Sequence, residues 1–338
     1  MDKIAGQEKS AEKKRRVVVV TGASAGLGRS IVRQFAAQGC DVALIARGIE
    51  GLEGAKREVE QAGGRALVLP VDIADAEAVE NAAAETELKL GPIDVWVNNA
   101  MNSVFSPVKE MTAEDYKRVT DVTYLGHVYG ALSALRRMLP RDRGSIIFVG
   151  SALAYRGIPL QSAYCGAKHA IEGFFDSLRT ELMHDGSNVK ISMVQLPAMN
   201  TTQFKFVKTR LPRKPRPMGT IYQPEVAAEV VEFASRDHRR EYFVGWPTVK
   251  AIVGNKIAPW YADWVLSRNG YEGQMTSEPE DPGRKNNLWE PLPGDHGAHG
   301  TFDDKARTFS VVTWASFHKG AVAASLLLFA GALFLINK

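Results

Sequence analysis

Short apolar runs recur along the chain at 17–21, 42–46, 66–71, 93–98, 145–150, 189–195 and 241–244. They are nearly continuous in apolar, often β-branched residues, the composition of a strand covered on both faces. Between them, apolar positions fall at helical spacing, as Ile31, Val32, Phe35 and Ala36 do before Gly39. Strands alternating with helices predict an α/β fold over residues 16–250: a doubly wound parallel seven-stranded sheet with helices on both faces.

The pattern changes beyond that point. Ile257, Trp260, Tyr261, Trp264 and Val265 form an aromatic stripe at helical spacing in a helical extension, 251–271. The stripe suits packing against the sheet, closing an apolar substrate pocket, or resting on a membrane. Residues 272–318, rich at first in Gly, Pro, Asn and charge, read as an extended linker or wrapping arm. From Gly320 to Ile336 no residue is charged, and Lys319 and Lys338 flank the run. As a helix, these seventeen residues would reach about 25 Å. The expectation is a C-terminal apolar helix in 319–338 that anchors the protein in a membrane, with the catalytic domain facing the cytoplasm. Residues 1–15 are polar, without the apolar stretch of a signal peptide, and read as a flexible leader.

The first run passes at once into Thr21-Gly-Ala-Ser-Ala-Gly-Leu-Gly28 and then a helix. Strand, glycine turn and helix together make a phosphate site, because glycines allow close backbone approach and the helix start offers free N–H groups and a favourable dipole. Further on, Tyr164 and Lys168 stand four residues apart, on one face of a helix. A cation beside a phenol favours its ionised form and brings a group with an ordinary pKa of about 10 into use near neutrality.

With Asn98-Asn-Ala-Met101 and Ser151, thirteen residues before Tyr164, these motifs make the chain resemble the short-chain dehydrogenase/reductases, whose fold is Rossmann-type. The resemblance covers roughly residues 16–250. It implies that Tyr164 exchanges a proton with the substrate oxygen, Ser151 holds that oxygen, and Lys168 lowers the tyrosine pKa and bonds the nicotinamide ribose. It implies cofactor contacts from Gly22, Ser24, Gly26, Leu27, Gly28, Asp72, Asn98, Ala100, Pro197 and Thr201, besides Tyr164 and Lys168. Two positions depart from the family pattern: Thr123 stands where an asparagine supports a proton relay, and Met101 where glycine is usual. Relatives pair through helices that correspond to residues 115–138 and 161–184, so a homo-oligomer is implied.

The second strand ends at Ala46 and is followed by Arg47, with no acid to accept a ribose 2′-hydroxyl. A guanidinium suits a 2′-phosphate, so NADP(H) is favoured over NAD(H). Phe204 to Arg216, in the place of the family's substrate lid, holds six basic residues and no acid; it is a solvated charge run or a lid for an acidic substrate or anionic lipid surface. A net charge of only +4 and the absence of any nucleic-acid-binding pattern argue against nucleic acid. Two cysteines suggest no disulfide framework, and His296 and His299 lack a ligand set, so no metal is expected. The resulting function is carbonyl–alcohol interconversion on an apolar substrate; the alternative is a membrane-attached dinucleotide sensor or scaffold with little turnover.

Overall fold

The computed structural model describes residues 15–318 and residue 320. Seven strands, β1 (Val17–Thr21), β2 (Asp41–Ala46), β3 (Ala66–Pro70), β4 (Ile93–Asn98), β5 (Ser145–Val149), β6 (Lys190–Gln195) and β7 (Glu241–Phe243), form one sheet. Its order is β7-β6-β5-β4-β1-β2-β3, and every pairing is parallel. Each predicted run thus became a strand, with ends moved by at most one residue.

Alternation along β1 divides the core: Val18 and Val20 face α1 (Gly26–Ala37), α2 (Ile49–Gln61) and α8 (Pro224–Asp237), whereas Val17 and Val19 face α3 (Ala76–Lys89), α5 (Gly126–Met138) and α6 (Ser162–His184). Asp75 caps α3 through its side chain, and Thr112 with Asp115 forms a capping box that starts α4 (Ala113–Thr120). A π-helical turn, Asp121–Leu125, joins α4 to α5. The order reverses between β1 and β4, and open α/β sheets bind ligands in the crevice there, at the carboxyl ends of the strands.

Two short parallel strands, Ala198–Met199 and Ile221–Tyr222, bracket the lid, which contains α7 (Gln203–Phe206). Phe204, Val207 and Leu211 are buried with Phe105, Met275 and Phe302, so the apolar half of the lid belongs to the core. Its charge is largely answered within the chain. Lys208 and Arg210 both bond the buried carboxylate of Asp115, at 2.8 and 2.6 Å, while Arg213 pairs with Glu272 and Lys214 with Glu278. Beyond β7 come α9 (Gly245–Ile257) and α10 (Pro259–Asn269), then the arm, then α11 (Val311–Phe317), which packs on α9. The arm starts with Met275–Pro279 paired to Arg213–Pro215 of the lid. Among the described residues, no helix is long and apolar enough to cross a membrane. The uncharged run 320–336 lies outside them except for Gly320.

Burial alone would raise the Asp115 carboxyl; the bonds from Lys208 and Arg210 outweigh it, and the net shift is downward. A depressed carboxyl adds stability above its unfolded pKa and loses it as pH falls through the folded value. Asp115→Asn is therefore expected to cost about 2 kcal/mol at neutral pH, read by denaturant unfolding. The gap from wild type should narrow below about pH 4; a gap unchanged in acid would refute the charge-based account of the lid.

Candidate functional site

The glycine turn between β1 and α1 sets one end of the site. Gly22 and Gly26 have φ of +70° and +57°, and a Cβ on Gly28 would lie 1.9 Å from the Gly22 carbonyl oxygen. Thr21 and Asn99 lock the turn to the end of β4. The Thr21 hydroxyl accepts from the Asn99 and Ala100 amides, and Asn99 Nδ2 donates to the Thr21 carbonyl at 2.9 Å. Helix α1 has no side-chain cap and no acid in its first turn, so its amino end suits an anion.

A cavity of about 970 Å³ runs from this turn across the strand ends. Gly22, Ser24, Gly26, Leu27, Gly28 and Arg47 line its first part, with Asp72 and Ala100 beyond. Ser151, Tyr164, Lys168, Pro197 and Thr201 line the remainder, and Met101 is also on the wall. Asn98 and Thr123 do not line it. The Asn98 side chain is fully buried and accepts from Trp96 Nε1, and neighbouring Asn99 reaches the cavity instead. Thr123 exchanges hydrogen bonds with the Asn102 backbone, accepting from its N–H at 3.1 Å and donating to its C=O at 3.0 Å. This pins the loop after β4 to the π-helical turn.

At the far end, Ser151 follows β5 and Tyr164 and Lys168 lie on successive turns of α6. Gln195, at the end of β6, accepts from the Ser151 amide at 2.8 Å and donates to Glu172 and Glu241. The Tyr155 hydroxyl bonds the same two carboxylates. This network under Ser151 escaped the sequence reading because its members come from four separate stretches.

Lys168 is 2% exposed, and its Nζ donates to the Val149 carbonyl at 2.6 Å, 5.6 Å from the centre of the Tyr164 ring. Burial pushes the ammonium down to about 7. The expected lowering of the phenol is not what the site displays. Burial raises Tyr164 above its ordinary value, and the hydrogen bond from Ser151 offsets only part of that. Beside this pair, His127 is buried, and burial together with the Lys168 charge holds its imidazole neutral.

The arm closes the first end, which no local motif announced. Arg47 donates to the carbonyls of Asn287 at 2.6 Å and Trp289 at 2.5 Å. The Leu288 carbonyl accepts from Arg118 at 3.0 Å and from Asn102 at 3.3 Å, and the Leu288 side chain is fully buried. Arg118 also bonds Asp72 and lies 5.3 Å from the Trp289 ring centre. Further along, Asp295 pairs with buried Arg29 at 3.1 Å, and the Gly297 carbonyl accepts from the Gly26 amide at 2.9 Å. His296 lines the cavity, and His299 bridges Glu225 and Asp303. Among the described residues, no group of three or more His, Cys, Asp or Glu side chains could hold a metal.

The short chain dehydrogenase family pattern matches residues 16–211. The protein named "Uncharacterized oxidoreductase YxnA" from Bacillus subtilis (strain 168) is 31% identical over 325 residues, 94% of this chain and 91% of that one. A fatty acyl-CoA reductase of Acinetobacter baylyi is 30% identical over 223 residues, 65% of this chain and 73% of the relative. Among solved structures, an alcohol dehydrogenase of the archaeon Thermococcus sibiricus, complexed with 5-hydroxy-NADP, aligns with a TM-score of 0.58 at 26% identity. That alignment covers 68% of this chain and 95% of the other. The chain belongs to the short-chain dehydrogenase family and is an oxidoreductase built on a seven-stranded parallel sheet.

Proposed function

We propose that the protein interconverts an apolar ketone or aldehyde and the corresponding alcohol with NADP(H), and that Tyr164 is its general acid and base. The carrying observation is one cavity with a glycine turn and uncapped helix start at one end and Ser151, Tyr164 and Lys168 at the other. When bound, the nicotinamide supplies or takes the hydride. Ser151 donates to the substrate oxygen and orients it, its backbone fixed by Gln195. Tyr164 Oη gives that oxygen a proton in reduction and removes one in oxidation. Lys168, titrating near 7, can hold or release a proton at the pH of the reaction.

The cofactor preference rests on charge. Arg47 faces the cavity with neutral carbonyls as its hydrogen-bond partners, and no carboxylate forms an ion pair with it among the described residues. Burial lowers its pKa, with nearby Arg118 adding to the effect and Asp72 opposing it. A partly buried cation so placed gains from a 2′-phosphate. Ala251, Ala258, Ala262, Val265 and Leu266 make the substrate side apolar, in keeping with the acyl substrate in one relative's name. Attachment to a membrane through 320–336 would bring such substrates close. It is tested by fractionating cells that express the intact protein: the protein should pellet with membranes and need detergent for release, and a wholly soluble protein would refute the anchor.

Tyr164→Phe should lower kcat/KM for carbonyl reduction by about 10²–10⁴-fold while leaving NADPH affinity, read by nucleotide fluorescence, within a few-fold of wild type. Tight NADPH binding with no turnover by wild type across a panel of ketones and aldehydes would instead identify a sensor.

Arg47→Ala should weaken NADPH binding by about 10- to 100-fold, the equivalent of losing roughly 1.5–3 kcal/mol of charge-assisted bonding. NADH binding should change little. Equal weakening of both cofactors would show that Arg47 acts by holding the arm and not by meeting a phosphate.

A further inference from the structure

Helices α9 and α10 are apolar on two sides. One side belongs to the cavity wall: Pro247, Ala251, Gly254 and Ala258 follow one another at helical spacing, and Ala262 and Leu266 continue the wall on α10. The other side faces outward. Trp246, Val253 and Ile257 recur along α9, and Trp260 and Trp264 along α10, with Ile257 77% and Trp260 71% exposed. A helix apolar on both sides requires an apolar neighbour on each, and the described residues supply only one.

The exposed residues are also concentrated. Nine of the seventeen large apolar side chains that are exposed among the described residues lie on α9, on α10, or at α11, as Phe309 just before it and Val311 and Trp314 within it. Helix α11 packs on α9, so the surfaces adjoin. Tyr261 belongs to both, lining the cavity while 53% exposed, and it marks the cavity mouth.

The chemistry of the surface identifies its occupant. Residues 245–269 carry Lys250, Lys256 and Arg268 against one acid, Asp263, which is paired with Arg156 at 2.5 Å. The Arg268 guanidinium lies 4.3 Å from the centre of the Trp264 ring. Indole and phenol rings with adjoining cations suit the headgroup level of a bilayer with anionic lipid, whereas the same net positive rim disfavours a second copy. The sequence after α11 runs directly into the uncharged stretch 320–336, so the chain leaves this face with a lipid-compatible composition.

We propose that α9, α10 and α11 form a docking face for an anionic lipid bilayer, with the aromatic side chains at headgroup depth and the cavity mouth beside Tyr261 open toward the lipid. This face is made of residues other than 320–336 and goes beyond the oxidoreductase reading. Its test reads lipid contact and not turnover, so either can fail alone.

Cys40 and Cys165 are buried, which allows selective labelling of single introduced cysteines. The full-length protein carrying Ile257→Cys, Trp260→Cys or, as control, Leu88→Cys on α3 is labelled with an environment-sensitive fluorophore. Each is reconstituted into vesicles of phosphatidylcholine and phosphatidylglycerol. Brominated phosphatidylcholine should quench the labels at 257 and 260 several-fold more than the label at 88, and aqueous iodide should quench them several-fold less. Iodide shielding without bromolipid quenching would overturn the proposal by showing that protein, the tail or a second copy, covers the face. Labels at 257 and 260 as open to iodide as the one at 88 would overturn it by showing a solvated surface.

Discussion

The backbone of α1 passes so close to the turn after β1 that no methyl group fits at Gly28, and the rest of the site depends on that approach. It brings a helix start without a side-chain cap over the carboxyl ends of the strands, beside the point where the sheet order reverses. Thr21 and Asn99 hold the contact in register from two different strand ends. The cavity, the position of Arg47 and the distance to the far end all follow from it. A Cβ at Gly28 would lie 1.9 Å from the Gly22 carbonyl oxygen, and backbone cannot yield cheaply.

At the other end the governing quantity is desolvation. Lys168 is buried and Tyr164 half-buried on the cavity wall, and burial moves each toward its neutral form: up for Tyr164, down to about 7 for Lys168. An ammonium whose pKa burial lowers is a weaker source of positive potential than the spacing of the two residues suggests. His127, held neutral beside it, adds no charge of its own. The pair therefore holds its proton on the phenol.

Periodicity revealed the strands because a parallel sheet buried on both faces leaves an unbroken apolar signature, visible at Val17–Val20 and Ile146–Val149 alike. The clustering of Ser151, Tyr164 and Lys168 was legible through spacing within one strand-loop-helix unit. What was not legible involves distant partners. Nothing near Arg47 signals that its guanidinium meets carbonyls some 240 residues later, nor that Asp115 neutralises the lid. A backbone carbonyl has no residue type to search for. Asn98 shows a smaller failure of the same kind, since the choice between it and Asn99 is decided by which side chain the end of β4 turns toward Trp96.

The arm changes what the sheet alone would offer. Without residues 286–303, the strand ends and the start of α1 would form an open groove, with Arg47 and Arg118 near one another and Arg29 left with Glu58 alone as its carboxylate partner. The arm answers each of them differently. Asp295 gives Arg29 a full charge, while Arg47 receives only carbonyl dipoles, and Arg118 shares one such dipole and keeps Asp72. Carbonyls orient a guanidinium without neutralising it, so the arm fixes the geometry of Arg47 and leaves its charge available. An anionic carboxylate in place of those carbonyls would have held the side chain as firmly and neutralised it.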